Sequence, residues 1–108
     1  MSEENNLDIR TSRHESACVI ELAGEVDMRS APALRDELLE VVAEAPRKLI
    51  LDLSEVPYID SSGVGTIVEL KRRVEKSGAK IVLVGLQPRV RSVFEITRLG
   101  DLLTVEAD

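Results

Sequence analysis

The sequence has few of the residues that carry enzyme chemistry. Its 108 residues include one histidine, one cysteine and no tryptophan, and its two aromatic residues are Tyr58 and Phe94. His14 falls in a polar segment and Cys18 in an apolar run, so neither has neighbours suited to a catalytic triad or a metal site. We therefore expect a protein that is not an enzyme, with no catalytic residues, no cofactor and no metal.

Positive charge and long apolar runs are also scarce. There are 14 basic and 20 acidic residues, and the net charge of -6 opposes attraction to nucleic acid or anionic lipid. The N-terminal "MSEENNLDIR" lacks a basic flank followed by an apolar run, and no apolar run reaches membrane-spanning length. We expect a cytoplasmic protein that neither binds nucleic acid directly nor inserts into a membrane.

The length fits one small domain. The sequence has no internal repeats, low-complexity tracts or linkers, and only its ends look free to fray. We predict a single domain over residues 1–108 with an ordered core from about residue 7 to residue 105.

Two short segments near the N-terminus predict an antiparallel hairpin. "LDIRTSR" and "ACVIELAG" have strand composition, and the three polar residues from His14 to Ser16 suit a hairpin loop. Gly24 is expected to end the second strand.

The rest of the chain alternates helices and strands. An amphipathic helix is predicted from Ser30, its N-cap, to Pro46, which a helix cannot continue through. Its inward residues follow steps of three and four: Ala31, Leu34, Leu38, Val41 and Ala45. The runs "KLILDL" and "KIVLVGL" predict central strands covered on both faces, joined by a helix over residues 61–77 in a parallel crossover.

The C-terminal part predicts one more helix and strand. Pro88 opens the helix, which has Val90, Val93, Phe94 and Thr97 facing inward and ends near Gly100. "LLTVEA" predicts a short last strand. The fold class is α/β, a mixed sheet with an N-terminal antiparallel hairpin, parallel βαβ crossovers and helices packed on the sheet.

The start of the second helix is unusual in composition. It reads Asp60, Ser61, Ser62, Gly63, Val64, Gly65, and each glycine costs a helix about 0.8 to 1 kcal/mol relative to alanine. A serine could act simply as an N-cap. Alternatively, small residues at the carboxyl edge of a parallel sheet could leave the backbone bare for another protein or a phosphoryl group. The P-loop lysine and the third glycine of a dinucleotide site are both missing.

Three sequence motifs together resemble the STAS-domain family, and within it the bacterial anti-sigma factor antagonists. They are "GEVD" at residues 24–27, "VPYIDSSGVG" about thirty residues later, and the following "KIVLVGLQPRVRSVFEITRLGDLL". The resemblance covers about residues 7–105 and implies a single STAS-type domain. It also implies that the unphosphorylated protein binds an anti-sigma factor that is a serine kinase, and so releases the sigma factor.

The resemblance also implies which residues act. The kinase would phosphorylate the first serine of Asp-Ser-Ser-Gly, here Ser61, and a PP2C-type phosphatase would reset the protein. Asp27 matches a family position near that serine. The expected partner-binding residues are Asp27, Asp60, Ser61, Ser62, Gly63 and Gly65. We expect a monomer or a weak homodimer.

Two other functions stay open at this point. STAS domains also serve as non-switching scaffolds or regulatory subunits of stress-signalling complexes and lipid-transport systems. Nucleotide binding is a third hypothesis, because a helix N-terminus can bind phosphate. The missing lysine and the nearby acidic residues disfavour it.

Overall fold

Five strands and three helices alternate along the part of the chain that the computed structural model describes, residues 6–97 and 104–106. The elements in chain order are β1 Leu7–His14, β2 Ala17–Val26, α1 Ala31–Ala43, β3 Lys48–Ile59, α2 Ser61–Lys76, β4 Lys80–Val84, α3 Pro88–Thr97 and β5 Thr104–Glu106.

The strands form one mixed sheet in the order β1-β2-β3-β4-β5. β1 and β2 pair antiparallel, and every other neighbouring pair is parallel. The hairpin turn is formed by Glu15 and Ser16, while His14 belongs to β1. The predicted α/β class, the hairpin and the parallel crossovers are therefore confirmed.

One face of the sheet forms the core together with all three helices. In β3, Leu49, Leu51 and Leu53 are fully buried, whereas Ile50 and Asp52 between them stay partly exposed. The same buried cluster contains residues of α1, α2 and α3. The prediction that both faces of β3 are covered is wrong, because the helices pack on one side of the strand. In β4, by contrast, three consecutive residues, 81–83, are buried.

Cys18 belongs to this core, as the sequence predicted. It is buried and unpaired, and burial raises the pKa of its thiol. The cysteine therefore has a packing role.

β3 is longer than predicted because it contains two irregularities against β2. The pairs Glu21↔Asp52, Ala23↔Glu55 and Glu25↔Tyr58 advance two residues on β2 for every three on β3. The extra residues change the phase of the strand, so Leu53, Val56 and Ile59 all face the core at a spacing of three. β3 therefore extends to Ile59, and a single residue, Asp60, separates it from α2.

Gly24 does not end β2, which continues to Val26. The φ of Gly24, +122°, is in the region that favours glycine, and a Cβ on Gly24 would lie 1.8 Å from the carbonyl oxygen of Asn6. Gly24 therefore allows β1 and β2 to approach closely while the strand continues.

Ser30 occupies the N-cap position of α1, as predicted, whereas the C-terminal end of the helix differs from the prediction. Ser30 directly precedes the helix, but its side chain makes no capping bond; its hydroxyl instead donates to the carbonyl of Glu25 at 2.8 Å, and Ser30 is fully buried. Ala45 is exposed and lies after the helix, with a φ of +55°. The break before Pro46 turns Ala45 away from the core.

The described residues test only part of the prediction for the C-terminal helix and strand. Val90 and Phe94 are buried and Val93 is partly buried, as expected. β5 is described only at Thr104–Glu106. The side chain of Thr97, the expected helix end near Gly100 and the rest of the predicted last strand lie outside the described residues.

The first turn of α2 packs closely against the ends of β2 and β3. A Cβ on Gly63 would lie 2.6 Å from Val26 Cγ1, 2.8 Å from Ile59 Cγ1 and 2.9 Å from the Val26 carbonyl oxygen. A Cβ on Gly65 would meet nothing within 4 Å. The interpretation that both glycines open the turn is therefore wrong for Gly63, which is buried and needed for packing.

The two glycines predict opposite effects on stability. We expect Gly63→Ala to lower the free energy of unfolding by about 1 to 3 kcal/mol, because the methyl group overpacks against Val26 and Ile59. The matched variant Gly65→Ala should raise it by up to about 1 kcal/mol through helix propensity alone. Urea denaturation of both variants measures the difference. Wild-type stability of Gly63→Ala would contradict the close packing.

Candidate functional site

The two acidic motifs meet at the carboxyl ends of β2 and β3. Val26 pairs with Ile59 at the last position of the parallel ladder, and the N–H of Asp60 donates to the carbonyl of Val26 at 3.1 Å. Asp27 and Asp60 follow these two strand ends directly. The structure thus brings "GEVD" beside "DSSG", at the edge where open α/β sheets place their sites.

Asp60 is the N-cap of α2. Its side chain accepts a hydrogen bond from the N–H of Gly63 at 3.1 Å, and its backbone carbonyl accepts from Val64 at 3.1 Å. The expectation that Ser61 or Ser62 caps the helix is therefore wrong. An aspartate satisfies the same backbone donor and adds a negative charge, which the positive end of the helix dipole favours.

Both serines occupy the first turn of α2 and are exposed. Within the described part of the chain, neither hydroxyl makes a hydrogen bond to another residue. The backbone N–H groups of Ser61 and Ser62 also lack a helical partner, as in any first turn. This arrangement offers a free hydroxyl on a rigid support, next to donors that suit an anion.

Asp27 stabilises the turn between β2 and α1. Its Oδ1 accepts from the N–H of Arg29 at 2.9 Å and of Ser30 at 3.1 Å, and its Oδ2 lies 3.5 Å from the Arg29 guanidinium. Partial burial of Asp27 acts to raise its pKa, but these hydrogen bonds and the charge of Arg29 outweigh burial and lower the pKa below its usual value. Asp27 is thus ionised, with part of its charge balanced locally.

Met28 was missed by the sequence interpretation. It is 71% exposed, and it lines a shallow groove of about 340 Å³ together with Pro32, Ser62 and Thr66. The groove lies between the first turns of α1 and α2, adjacent to Ser61. Its only sequence clue was an apolar residue in the polar turn "DMRS", outside any helix or strand periodicity.

The expected site residues therefore differ in accessibility. Ser61 and Ser62 are exposed, Gly65 is partly exposed, and Gly63 is buried against β2 and β3. Asp27 and Asp60 are engaged in local hydrogen bonds. No group of three or more histidine, cysteine or carboxylate side chains in the described residues could hold a metal ion.

Within the same described residues, no helix is both long enough and apolar enough to span a membrane.

Comparison with known proteins finds similarity to bacterial anti-sigma factor antagonists. The chain is 34% identical over 102 residues to an anti-sigma-B factor antagonist of Bacillus subtilis, an alignment covering 94% of this chain and 93% of that one. It superimposes with a TM-score of 0.83 on an anti-sigma factor antagonist from Mycobacterium paratuberculosis, at 27% identity, covering 92% of this chain and 84% of that one.

A third relative is described as the anti-sigma factor antagonist SpoIIAA in its unphosphorylated form. The TM-score is 0.78 at 25% identity, covering 92% of this chain and 88% of that one. The family model for the STAS domain matches residues 8–108. The chain therefore belongs to the STAS-domain family.

Proposed function

We propose that this protein is an anti-sigma factor antagonist that switches partners by phosphorylation of Ser61. In the unphosphorylated state it binds an anti-sigma factor that is also a serine kinase, and so releases the sigma factor. Phosphorylation by that kinase ends the complex, and a PP2C-type phosphatase restores the binding form. The names of the relatives support the antagonist role.

The observation that best supports the proposal is the first turn of α2. Because Asp60 provides the N-cap, the hydroxyls of Ser61 and Ser62 are not needed to hold the helix. Ser61 is exposed, and the backbone around it is held by the packing of Gly63 on Val26 and Ile59. A kinase would thus meet a fixed acceptor that the fold itself does not use.

The charge of a phosphate explains how binding would end without refolding. A phosphoserine carries about -1.5 to -2 charges at pH 7. The free N–H groups of the first turn of α2 would accommodate them within the domain. A docked partner, however, would have to desolvate the new charge beside Asp60, and losing about 3 kcal/mol of interface energy weakens binding about a hundredfold.

The partner surface would extend from Ser61 to Ser62, Gly65 and Met28. Gly65 offers bare backbone, since nothing lies within 4 Å of its missing side chain. Met28 supplies an exposed apolar anchor. Asp27 and Gly63 act from beneath this surface, the first by fixing the turn that holds Met28 and the second by docking α2.

Ser61 should be the acceptor. After incubation with ATP and the anti-sigma kinase recovered with the tagged protein, intact mass should show one added phosphate on the wild type and on Ser62→Ala, and none on Ser61→Ala. Ser61→Ala should keep wild-type affinity for the kinase. Ser61→Asp should bind about a hundredfold more weakly by calorimetry, because of its added charge.

Two results would count against this mechanism. Equal kinase affinity of the unmodified and the fully phosphorylated protein would remove the switch. A stable kinase complex with no phosphate on either serine would favour a non-switching scaffold.

Met28 should contribute to binding and not to folding. We expect Met28→Ser to weaken kinase binding about tenfold, as loss of an apolar anchor does, while the unfolding free energy changes by less than about 0.5 kcal/mol. The matched control is Ile96→Ser on α3, which removes a side chain that is also highly exposed, at 80%. Equal losses of affinity in both variants would contradict the proposed surface.

A further inference from the structure

A second groove lies between the C-terminal half of α1 and the second half of α2. Leu39 and Val42 of α1 form its apolar floor, where they pack against the core but remain partly exposed. On α2 the groove is lined by Arg72, Arg73 and Lys76 and by one carboxylate, Glu69, and its volume is about 550 Å³. The apolar floor and the cationic side chains therefore line the same groove.

Two of these cations have no carboxylate partner among the described residues. Arg73 lies 3.7 Å from Glu69, which also accepts hydrogen bonds from Arg35 at 2.9 and 3.3 Å. The hydrogen bonds from Arg35 hold the pKa of Glu69 below its usual value. Glu69 is therefore ionised, and its carboxylate is already bonded to Arg35. Arg72 and Lys76 make no such pair, although the chain as a whole carries a net charge of -6.

We propose that this groove binds an acidic amphipathic helix of a partner protein. Residues 69–76 of α2 span about 10 Å, the length of roughly two helical turns. Apolar side chains spaced three and four apart would contact Leu39 and Val42, and flanking glutamates or aspartates would pair with Arg72 and Lys76. Charge complementarity therefore selects an anionic partner.

A membrane and a second copy of this chain fit the groove less well. The net charge of -6 opposes binding to a surface of anionic lipid. Of the described residues, the large exposed apolar ones are Met28 in the turn before α1, Tyr58 on β3 and Ile96 on α3. They form no apolar ridge that could enter the groove of another copy.

The groove is separate from the proposed phosphorylation switch. The lining residues of α2 begin at Glu69, eight residues and about 12 Å along the helix axis from Ser61, and end at Lys76, about 22 Å away. A partner could therefore occupy the groove whether or not Ser61 is modified. Failure of this proposal would leave the antagonist function untouched.

The test is a titration of the full ¹⁵N-labelled chain with a synthetic helical peptide of about 14 residues that carries leucines on one face and glutamates beside them. We expect saturable shifts of the amide signals of Leu39, Val42, Arg72 and Lys76. The double variant Arg72→Glu/Lys76→Glu should bind at least about tenfold more weakly. The control Arg89→Glu/Arg91→Glu makes the same charge change on α3 and should bind within about twofold of wild type.

Several outcomes would overturn the proposal. They are no saturable binding, equal binding of a peptide with lysines in place of the glutamates, and equal weakening in both double variants. Binding to vesicles of anionic phospholipid that is lost in Arg72→Glu/Lys76→Glu would assign the groove to a membrane instead. Sedimentation showing a dimer that the same variant dissociates would assign it to a second copy. Thermal unfolding by circular dichroism checks that each variant is folded.

Discussion

The candidate site of this protein depends on the contact between the start of α2 and the ends of β2 and β3. The N–H of Asp60 bonds to the carbonyl of Val26, and Gly63 packs within van der Waals range of Val26 and Ile59. No side chain larger than hydrogen fits at Gly63 without displacing backbone. This contact fixes where the first turn of α2 points, and with it the position of Ser61.

A division of tasks within that turn follows from the same contact. Asp60 caps the helix, and Gly63 packs it against β2 and β3. The hydroxyls of the two serines between them make no hydrogen bond to any described residue. A residue that also held the helix would couple modification to unfolding. In the proposed switch, a phosphate on Ser61 would add charge while the backbone keeps its shape, and another protein would detect that charge.

Much of the fold could be predicted from periodicity, and the errors have physical causes. Val64, Ile67, Leu70 and Val74 are buried as their helical spacing indicated. On the outer face of the same helix, the i,i+4 pairs Glu69–Arg73 and Lys71–Glu75 lie at 3.7 and 2.8 Å. The extent of β3 was misjudged, because two irregularities against β2 change the spacing of its inward residues from two to three. Such a change depends on the neighbouring strand and leaves no periodic pattern.

The sequence by itself determined the fold class and the family resemblance, because these depend on local composition and on motifs read along one chain; the resemblance in turn implied Ser61 as the candidate acceptor. The structure showed that Asp60 caps α2 through a local bond from the N–H of Gly63. Only the tertiary structure decided why Gly63 must be glycine and that Met28 is exposed beside Ser62. Both depend on contacts between segments that are distant in sequence. A contact of 3 Å between such segments is set by packing, which no local pattern encodes.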